Sequence, residues 1–368
     1  MQRENGAMSE QEYMKLALQL AEAARGQTSP NPLVGAVIVK DSMIVGMGAH
    51  LKSGEAHAEV QAIEMAKEHC QGATIYVTLE PCSHYGKTPP CADLIIQHHF
   101  KKVVIATLDP NPKVAGNGVK KLKQAGIEVE VGLLEEEAKE LNRWFFHGLQ
   151  TKRPYVTLKF ATTIDGKIAT ETFDSKWVTS VESRMDVHRY RHMYDAILVG
   201  INTVKEDHPS LTTRLPIGGR HPVRVILDTS LRIGEKEPLL HDKMGPVLIF
   251  TSSTCNEEKK ARLLQNEQVE IYSLHTPTIV LQEVLTVLYK KGILSLLVEG
   301  GGLINSSFLQ EGLIDELIHY MAPKIVGGID APSAFRGKGI EKIKDAQTFT
   351  LLSLEQIGDD MKFVYRAN

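Results

Sequence analysis

The feature that most limits what this chain can fold into is a repeated alternation of β-rich runs and helix-patterned segments, interrupted once. Ser9 with Glu12 forms a capping-box pattern that opens a helix reaching about residue 25. Runs at 34–39 and 43–48 then bracket Asp41-Ser42 and read as a hairpin. Helical spacing of Val60, Ile63, Ala66 and Lys67 predicts a helix over 58–69. A strand over 73–79, a helix around 92–99, a strand over 102–107, a helix from about 114, a strand over 128–131 and a helix through Leu149 complete the first series. Thr151-Lys152-Arg153-Pro154 stops it, because the residue before proline is driven out of helical geometry. Strand-like runs resume at 155–161, 196–199, 223–227, 247–251, 269–272 and 294–298, with helices between several of them, and 317–321 with 361–365 read as a closing pair of strands. Strands alternating with helices predict an α/β architecture. The break predicts two domains, 1–151 and 152–368, which suits 368 residues at about 150 per domain.

Charge and composition narrow the function. The 42 Lys and Arg against 45 Asp and Glu leave a net charge of −3, divided as 15 basic and 18 acidic residues up to position 150 and 27 of each beyond it. Neither part carries the basic surplus expected of a nucleic-acid binder, so a small-molecule substrate is expected. No apolar run approaches the roughly 18 residues of a membrane span, and MQRENGAMSEQEY lacks the apolar core of a secretory signal. The expectation is a cytoplasmic protein with no membrane partner. Four cysteines in so long a chain make no disulfide framework. Cys70 and Cys255 stand alone, whereas Cys82 and Cys91 lie nine residues apart in a Pro-rich stretch.

That pair gains meaning from its surroundings. His57-Ala58-Glu59 begins one predicted helix, Pro81-Cys82 follows a predicted strand, and Cys91 opens the next helix. Helix N-termini favour the thiolate that zinc requires. Three protein ligands leave a fourth position for water, as at a catalytic zinc. Zinc lowers the pKa of such a water toward about 7, and the Glu59 carboxylate can carry its proton to a ring nitrogen and a leaving ammonia. An isolated His-x-Glu is ordinarily a solvated helix start; it is the order with Pro-Cys after a strand that matches the zinc-dependent nucleobase deaminases. One departure stands out: eight residues, SHYGKTPP, separate the cysteines where the common pattern has two. His84 competes as a ligand, although two residues from Cys82 it is expected to face the pocket or solvent.

The stretches Asn31-Pro32-Leu33-Val34-Gly35-Ala36-Val37, Gly54-Glu55-Ala56-His57-Ala58-Glu59, Thr78-Leu79-Glu80-Pro81-Cys82 through Cys91, and Asp109-Pro110-Asn111-Pro112 make the resemblance specific. The first half resembles the deaminase half of the bifunctional riboflavin-biosynthesis deaminase–reductases, in which the long inter-cysteine loop is normal. The resemblance implies one zinc per chain on His57, Cys82 and Cys91, Glu59 as proton shuttle, and Asn31, His50, Lys87, Asp109 and Asn111 lining the substrate pocket. Asn and Asp side chains can pair with a pyrimidine edge and Lys87 can meet a phosphate. Asn31 and Asn111, each preceding a proline, are equally ordinary turn residues.

The second half lacks G-x-G-x-x-G. It does have Val298-Glu299-Gly300-Gly301-Gly302-Leu303, glycines between a strand and a helix, where backbone amides can approach a phosphate. With Tyr155–Lys159, Ile164–Ala169, Ser175–Ser180, Gly200–Asp207 and Pro209–Thr212, this segment resembles the same family's reductase half, whose fold is similar to dihydrofolate reductase. The resemblance implies Ala161, Trp177, Thr203, Asp207, Thr229 and Gly301 along NADPH, and Lys159, Ser175, Arg191, Leu211, Arg214 and Glu299 toward the ribosyl phosphate substrate. Trp177 could instead be core, and Arg191 could lie on a solvated helix face. Lys159 and Asp207 are both candidates for the proton donor.

The implied activity is zinc-dependent hydrolytic deamination of 2,5-diamino-6-(5-phosphoribosylamino)pyrimidin-4(3H)-one, then NADPH-dependent reduction to 5-amino-6-(5-phosphoribitylamino)uracil. The rival readings are a cytidine or tRNA-adenosine deaminase with an accessory nucleotide-binding domain, and a non-catalytic zinc module. Assembly into a homo-oligomer is left open.

Overall fold

The computed structural model describes residues 8–83, 89–111 and 115–368. They form two compact units, the first ending at Lys152 and the second spanning Arg153–Asn368.

The first unit runs α1 (Glu10–Glu22), β1 (Gly35–Lys40), β2 (Met43–Ala49), α2 (Ala58–Ala66), β3 (Thr74–Leu79), α3 (Cys91–Gln97), β4 (Lys102–Thr107), α4 (Asn117–Gln124), β5 (Glu128–Val131), α5 (Glu135–Leu141) and α6 (Arg143–Thr151). Its sheet has the order β2-β1-β3-β4-β5, with β3, β4 and β5 parallel and β1 antiparallel to both its neighbours. Strand residues alternate between two apolar layers. Ala36, Ile38, Ile75, Val77, Val103 and Ile105 pack with α2, α3 and α4, while Val37, Val39, Tyr76 and Val104 pack with α1 and α5. Helices thus cover both faces, which explains why these strands read as continuous apolar runs.

Local chemistry sets several boundaries. The Ser9–Glu12 capping box is formed reciprocally at the start of α1, which ends at Glu22, three residues short of the expected limit. Asp41 and Ser42 both take positive φ, 50° and 62°, the backbone twist a two-residue hairpin turn requires. The helix expected through Leu149 is two helices. They break at Asn142, a buried side chain whose Oδ1 accepts from the Leu33 amide and whose Nδ2 donates to the Leu33 carbonyl, both at 2.8 Å. The apolar period carries no trace of that long-range clamp.

The second unit runs β6 (Tyr155–Thr163), α7 (Val181–Met193), β7 (Ala196–Gly200), α8 (Ile201–Asp207), β8 (Val223–Leu227), β9 (Val247–Thr251), α9 (Glu257–Leu263), β10 (Val269–Ser273), α10 (Leu281–Lys290), β11 (Ser295–Val298), α11 (Gly302–Gln310), β12 (Glu316–Ala322), β13 (Phe349–Ile357) and β14 (Asp360–Ala367). Its sheet has the order β10-β9-β8-β7-β11-β6-β12-β14-β13, parallel as far as β12 and antiparallel at the last two strands. One apolar layer joins Leu158, Leu198, Val225 and Phe250 to α10 and Phe308; the other joins Ile197, Ile226 and Ile249 to α8 and α9. The closing pair of strands is β12 with β14. β13 was not legible, because as the outermost strand it is exposed along most of both faces and shows no buried alternation.

The helix that carries His57 and Glu59 lies directly on β2. A Cβ on Gly48 would sit 2.2 Å from the Ala58 carbonyl oxygen. Gly48→Ala should therefore cost about 1–3 kcal/mol of stability through overpacking. Urea unfolding checks this, and an unchanged midpoint would mean that α2 does not rest on this strand.

Candidate active sites

In the first unit the three predicted ligands come from three separate elements. His57 is the residue capping α2, Cys82 lies three residues beyond β3, and Cys91 is the first residue of α3. His57 Nδ1 is 3.2 Å from Cys91 Sγ and 3.7 Å from Cys82 Sγ, and the three ligand atoms lie within 4.8 Å of one another. The Cys91 amide donates to Cys82 Sγ at 3.2 Å. The Cys91 thiol hydrogen-bonds to Cys82 and, with His57, holds the Cys82 thiol down at about 4; the same hydrogen bond first, and burial second, push Cys91 up. Two thiolate-forming sulfurs and an imidazole suit zinc in kind, and three such groups among the described residues leave a fourth position for water.

Glu59, in the first turn of α2, is 3% exposed. Burial first and the Cys82 charge second lift its carboxyl to about 7. A carboxyl in that range can both accept and return a proton near neutral pH. The rings of His50 and His57 meet edge to face at 5.4 Å. Asn31 Nδ2 lies 3.1 Å from His50 Nε2, while His50 Nδ1 faces the Ala56 carbonyl at 3.2 Å. Burial lowers the His50 pKa, consistent with a neutral ring accepting from Asn31. Asp109 Oδ1 accepts from the Asn111 amide at 2.8 Å, the turn chemistry that these residues also allowed. Lys87 and His84 lie outside the described residues.

Glu80 was missed. Its buried carboxylate binds the loop carrying Asp109 and the start of α4. The only sequence signal was its place in the Thr78–Cys82 motif, which points to no role of its own.

In the second unit Arg191 is not on a solvated face. It makes a two-bond ion pair with Glu299, at 2.8 and 2.9 Å, with the two side chains 13% and 11% exposed. Burial alone would raise the Glu299 pKa, but Arg191 and then Lys159 outweigh it and hold the carboxyl near 2. Burial pushes the Lys159 ammonium below its usual range, with Glu299 pulling the other way, and its Nζ lies 5.7 Å from the Tyr320 ring centroid. Arg214 donates from its guanidinium to Ser210 at 2.6 Å and from its amide to His188 Nδ1 at 3.3 Å. Burial, with Arg191 and Arg214 nearby, lowers His188 to about 4. Leu211 is buried at φ 54°, beside this loop's polar contacts.

Gly301 caps α11, immediately after β11 and Glu299. A Cβ on Gly300 would strike Ile304 at 2.6 Å and one on Gly302 would strike Arg336 at 2.6 Å, so those two glycines serve packing. A Cβ on Gly301 would meet nothing nearer than Thr203 Oγ1 at 4.0 Å. Gly301 therefore faces the open space that a phosphate needs against a backbone amide, and Thr203 lies at its side. Trp177 is not core: it is 61% exposed, with the Arg184 guanidinium 4.4 Å above its ring. Thr229 follows β8 and its carbonyl accepts from Ser252 and Thr251. Ala161 lies on β6, Ser175 in the loop after it, and Asp207 ends α8 exposed.

Known proteins resemble both parts of the chain. The RibD C-terminal domain model matches residues 154–363, and the cytidine and deoxycytidylate deaminase zinc-binding region matches residues 8–107. The riboflavin biosynthesis protein RibD of Bacillus amyloliquefaciens is 52% identical over 353 residues, covering 96% of this chain and 95% of that protein. A diaminohydroxyphosphoribosylaminopyrimidine deaminase/5-amino-6-(5-phosphoribosylamino)uracil reductase from Thermotoga maritima superposes with a TM-score of 0.87 at 40% identity, covering 97% and 98% of the two chains. RibD of Acinetobacter baumannii gives the same TM-score at 39% identity and the same coverage.

Two outcomes are expected. Purified chain should hold about one zinc by atomic absorption, and Cys91→Ala should lose most of it; full occupancy in that variant would remove Cys91 from the site. Arg191→Met should cost about 3–5 kcal/mol, because it leaves the Glu299 charge buried and unpaired. Glu299 is held near 2 against an ordinary value of 4.5. Its contribution is thus fully present above 4.5 and fades as pH falls toward 2, so acid unfolding of Arg191→Met should show less pH dependence across that window.

Proposed function

The chain belongs to the RibD family of bifunctional riboflavin-biosynthesis deaminase–reductases, and from that premise we propose which of its residues carry each step. The enzyme is both a zinc-dependent deaminase and an NADPH-dependent reductase. It pairs a cytidine-deaminase-like α/β fold with a dihydrofolate-reductase-like one. We assign the first activity to residues 1–151 and the second to residues 152–368. The observation that carries the reading is the meeting of His57 Nδ1, Cys82 Sγ and Cys91 Sγ within 4.8 Å, next to the buried Glu59.

His57, Cys82 and Cys91 would hold the zinc. When bound, the metal supplies an acidified water at its open position. Glu59 is the chain's own proton carrier: it takes one proton of the attacking water and gives it to the ring nitrogen, then carries the second to the exocyclic amine, which leaves as ammonia. Asn31, oriented by His50, offers an amide to the pyrimidine edge, and Asp109 and Asn111 approach from the loop after β4. Lys87 is assigned to the substrate phosphate on resemblance alone.

In the second unit, Ala161, Trp177, Thr203, Asp207, Thr229 and Gly301 would lie along NADPH, which supplies the hydride. Gly301 presents its amide to a phosphate, and exposed Trp177 offers a flat face to a ring. Lys159, Ser175, Arg191, Leu211, Arg214 and Glu299 would face the ribosyl phosphate. Arg191 is already engaged by Glu299, so Arg214 is the cation better placed to take the phosphate, and Arg191 fixes Glu299. Between the two candidate proton donors, buried Lys159 beside Glu299 is favoured over Asp207, which ends its helix in solvent.

The substrate is a small molecule. The balanced charge supports an enzyme without a nucleic-acid partner, and a cytoplasmic location without a membrane partner is proposed with it; among the described residues no helix is long and apolar enough to cross a membrane. The outer strand β13 exposes Leu351, Leu352 and Leu354, which supports pairing of copies through that edge.

Glu59→Gln separates the two activities. Ammonia release from the diaminopyrimidine substrate should fall by about 10²-fold or more. NADPH oxidation on already deaminated substrate should stay within about twofold, since the change is confined to the other site. Product masses with and without NADPH identify both steps, and parallel loss of both would overturn the assignment of one activity to each unit.

A further inference from the structure

We propose that Glu80 is a positioning residue of the deaminase reaction: its carboxylate fixes the loop that presents Asp109 and Asn111 at a set distance from the Cys82 ligand. The proposal rests on the reading that Asp109 and Asn111 line the substrate pocket. Glu80 follows β3 directly, two residues before Cys82, and is 5% exposed. Its amide donates to the Thr107 carbonyl at the end of β4, at 3.0 Å. Oε2 accepts from the amides of Asp109 at 3.3 Å and Gly116 at 2.9 Å. Oε1 accepts from the amides of Gly118 at 2.8 Å and Val119 at 3.2 Å, in the first turn of α4.

An ionised carboxylate has about four acceptor directions, and here all four are filled by backbone N–H groups. The approach is close: a Cβ on Gly118 would lie 2.3 Å from the Pro81 carbonyl oxygen and 3.1 Å from Glu80 Oε1. Asp109, held by its own amide, in turn accepts the Asn111 amide on Oδ1. A single side chain thus ties the segment that ends in a metal ligand to the segment that carries two pocket residues. Both its oxygens are engaged by backbone amides, so its effect passes through Asp109 and Asn111.

This bonding separates acceptor capacity from shape. Glutamine copies the outline of Glu80 but turns one oxygen into a donor facing two N–H groups. Aspartate is shorter and keeps both acceptor oxygens. A packing role would rank Gln above Asp; a positioning role ranks Asp above Gln.

Full-length Glu80→Gln and Glu80→Asp are compared for zinc content and thermal unfolding as controls for folding of the first unit, for KM and kcat on the diaminopyrimidine ribosyl phosphate, and for NADPH oxidation on deaminated substrate as a control for the second unit. Glu80→Gln should retain zinc and reductase turnover, and raise the deaminase KM by about tenfold or more with a smaller change in kcat, as expected for lost hydrogen bonds to a buried charge. Glu80→Asp should lie nearer the parent. Gly118→Ala, which presses on the Pro81 carbonyl first and on Glu80 second, should shift KM the same way and replaces Glu80→Gln if that variant does not fold. An unchanged KM, loss of zinc with the loss of activity, or Gln performing better than Asp would overturn the proposal. Asp109→Ala tests the underlying reading separately: an unaltered KM there removes Asp109 from the pocket. A raised KM in Asp109→Ala with a normal one in Glu80→Gln removes Glu80 alone.

Discussion

Parallel strand pairing is the constraint on which both sites depend. Over most of each sheet both faces are covered by apolar side chains from flanking helices, so polar chemistry collects mainly at the strand ends, with Lys159 on β6 the exception. Because β3 and β4 run parallel, their carboxyl ends emerge at one edge, and the segments bearing Glu80, Cys82, Asp109 and Asn111 leave from that edge together. In the second unit β7, β8, β11 and β6 are likewise parallel. Thr203, Thr229, Glu299 and Gly301 therefore follow neighbouring strands on the same side of the sheet. Ligands of open α/β sheets bind in this crevice.

The two units answer the problem of a buried carboxylate differently. Glu299 meets a guanidinium, whose two N–H groups and full charge more than offset the desolvation of the acid. Glu80 is met by backbone amides, which are partial charges fixed in place by β4 and α4. Glu59 has no comparable set of partners, and its pKa rises accordingly. Glu299 and Glu59, at similar depth, thus differ in how they hold a proton, because only Glu299 has a guanidinium to pair with.

Much of this was legible because it depends on local chemistry. The Ser9 capping box, the Asp41-Ser42 turn, most strand limits, and the order His57, Glu59, Cys82, Cys91 are short-range patterns, and the structure brings the imidazole and both sulfurs together. What stayed hidden depends on partners distant in sequence. The helix break at Asn142 answers to Leu33, 109 residues away, and Glu299 to Arg191, 108 residues away. β13 pairs along one side only and leaves no periodic apolar signature. Trp177, open to core or ring-binding readings, is on the surface because its loop packs it against Arg184 rather than against the sheet.

By itself the sequence determined the α/β class, the interruption near Pro154, and the kinds of atoms available for metal, proton transfer and phosphate. These follow from periodicity, backbone preference and side-chain chemistry, each decided within a few residues. Only the tertiary structure decided which atoms meet: that an imidazole and two sulfurs from three elements converge, that Gly301 and not Gly300 or Gly302 faces open space, and that Arg191 is held by Glu299. Such pairings are set by the register and direction of strands and by what burial demands of each charge, and both exist only once the chain has closed on itself.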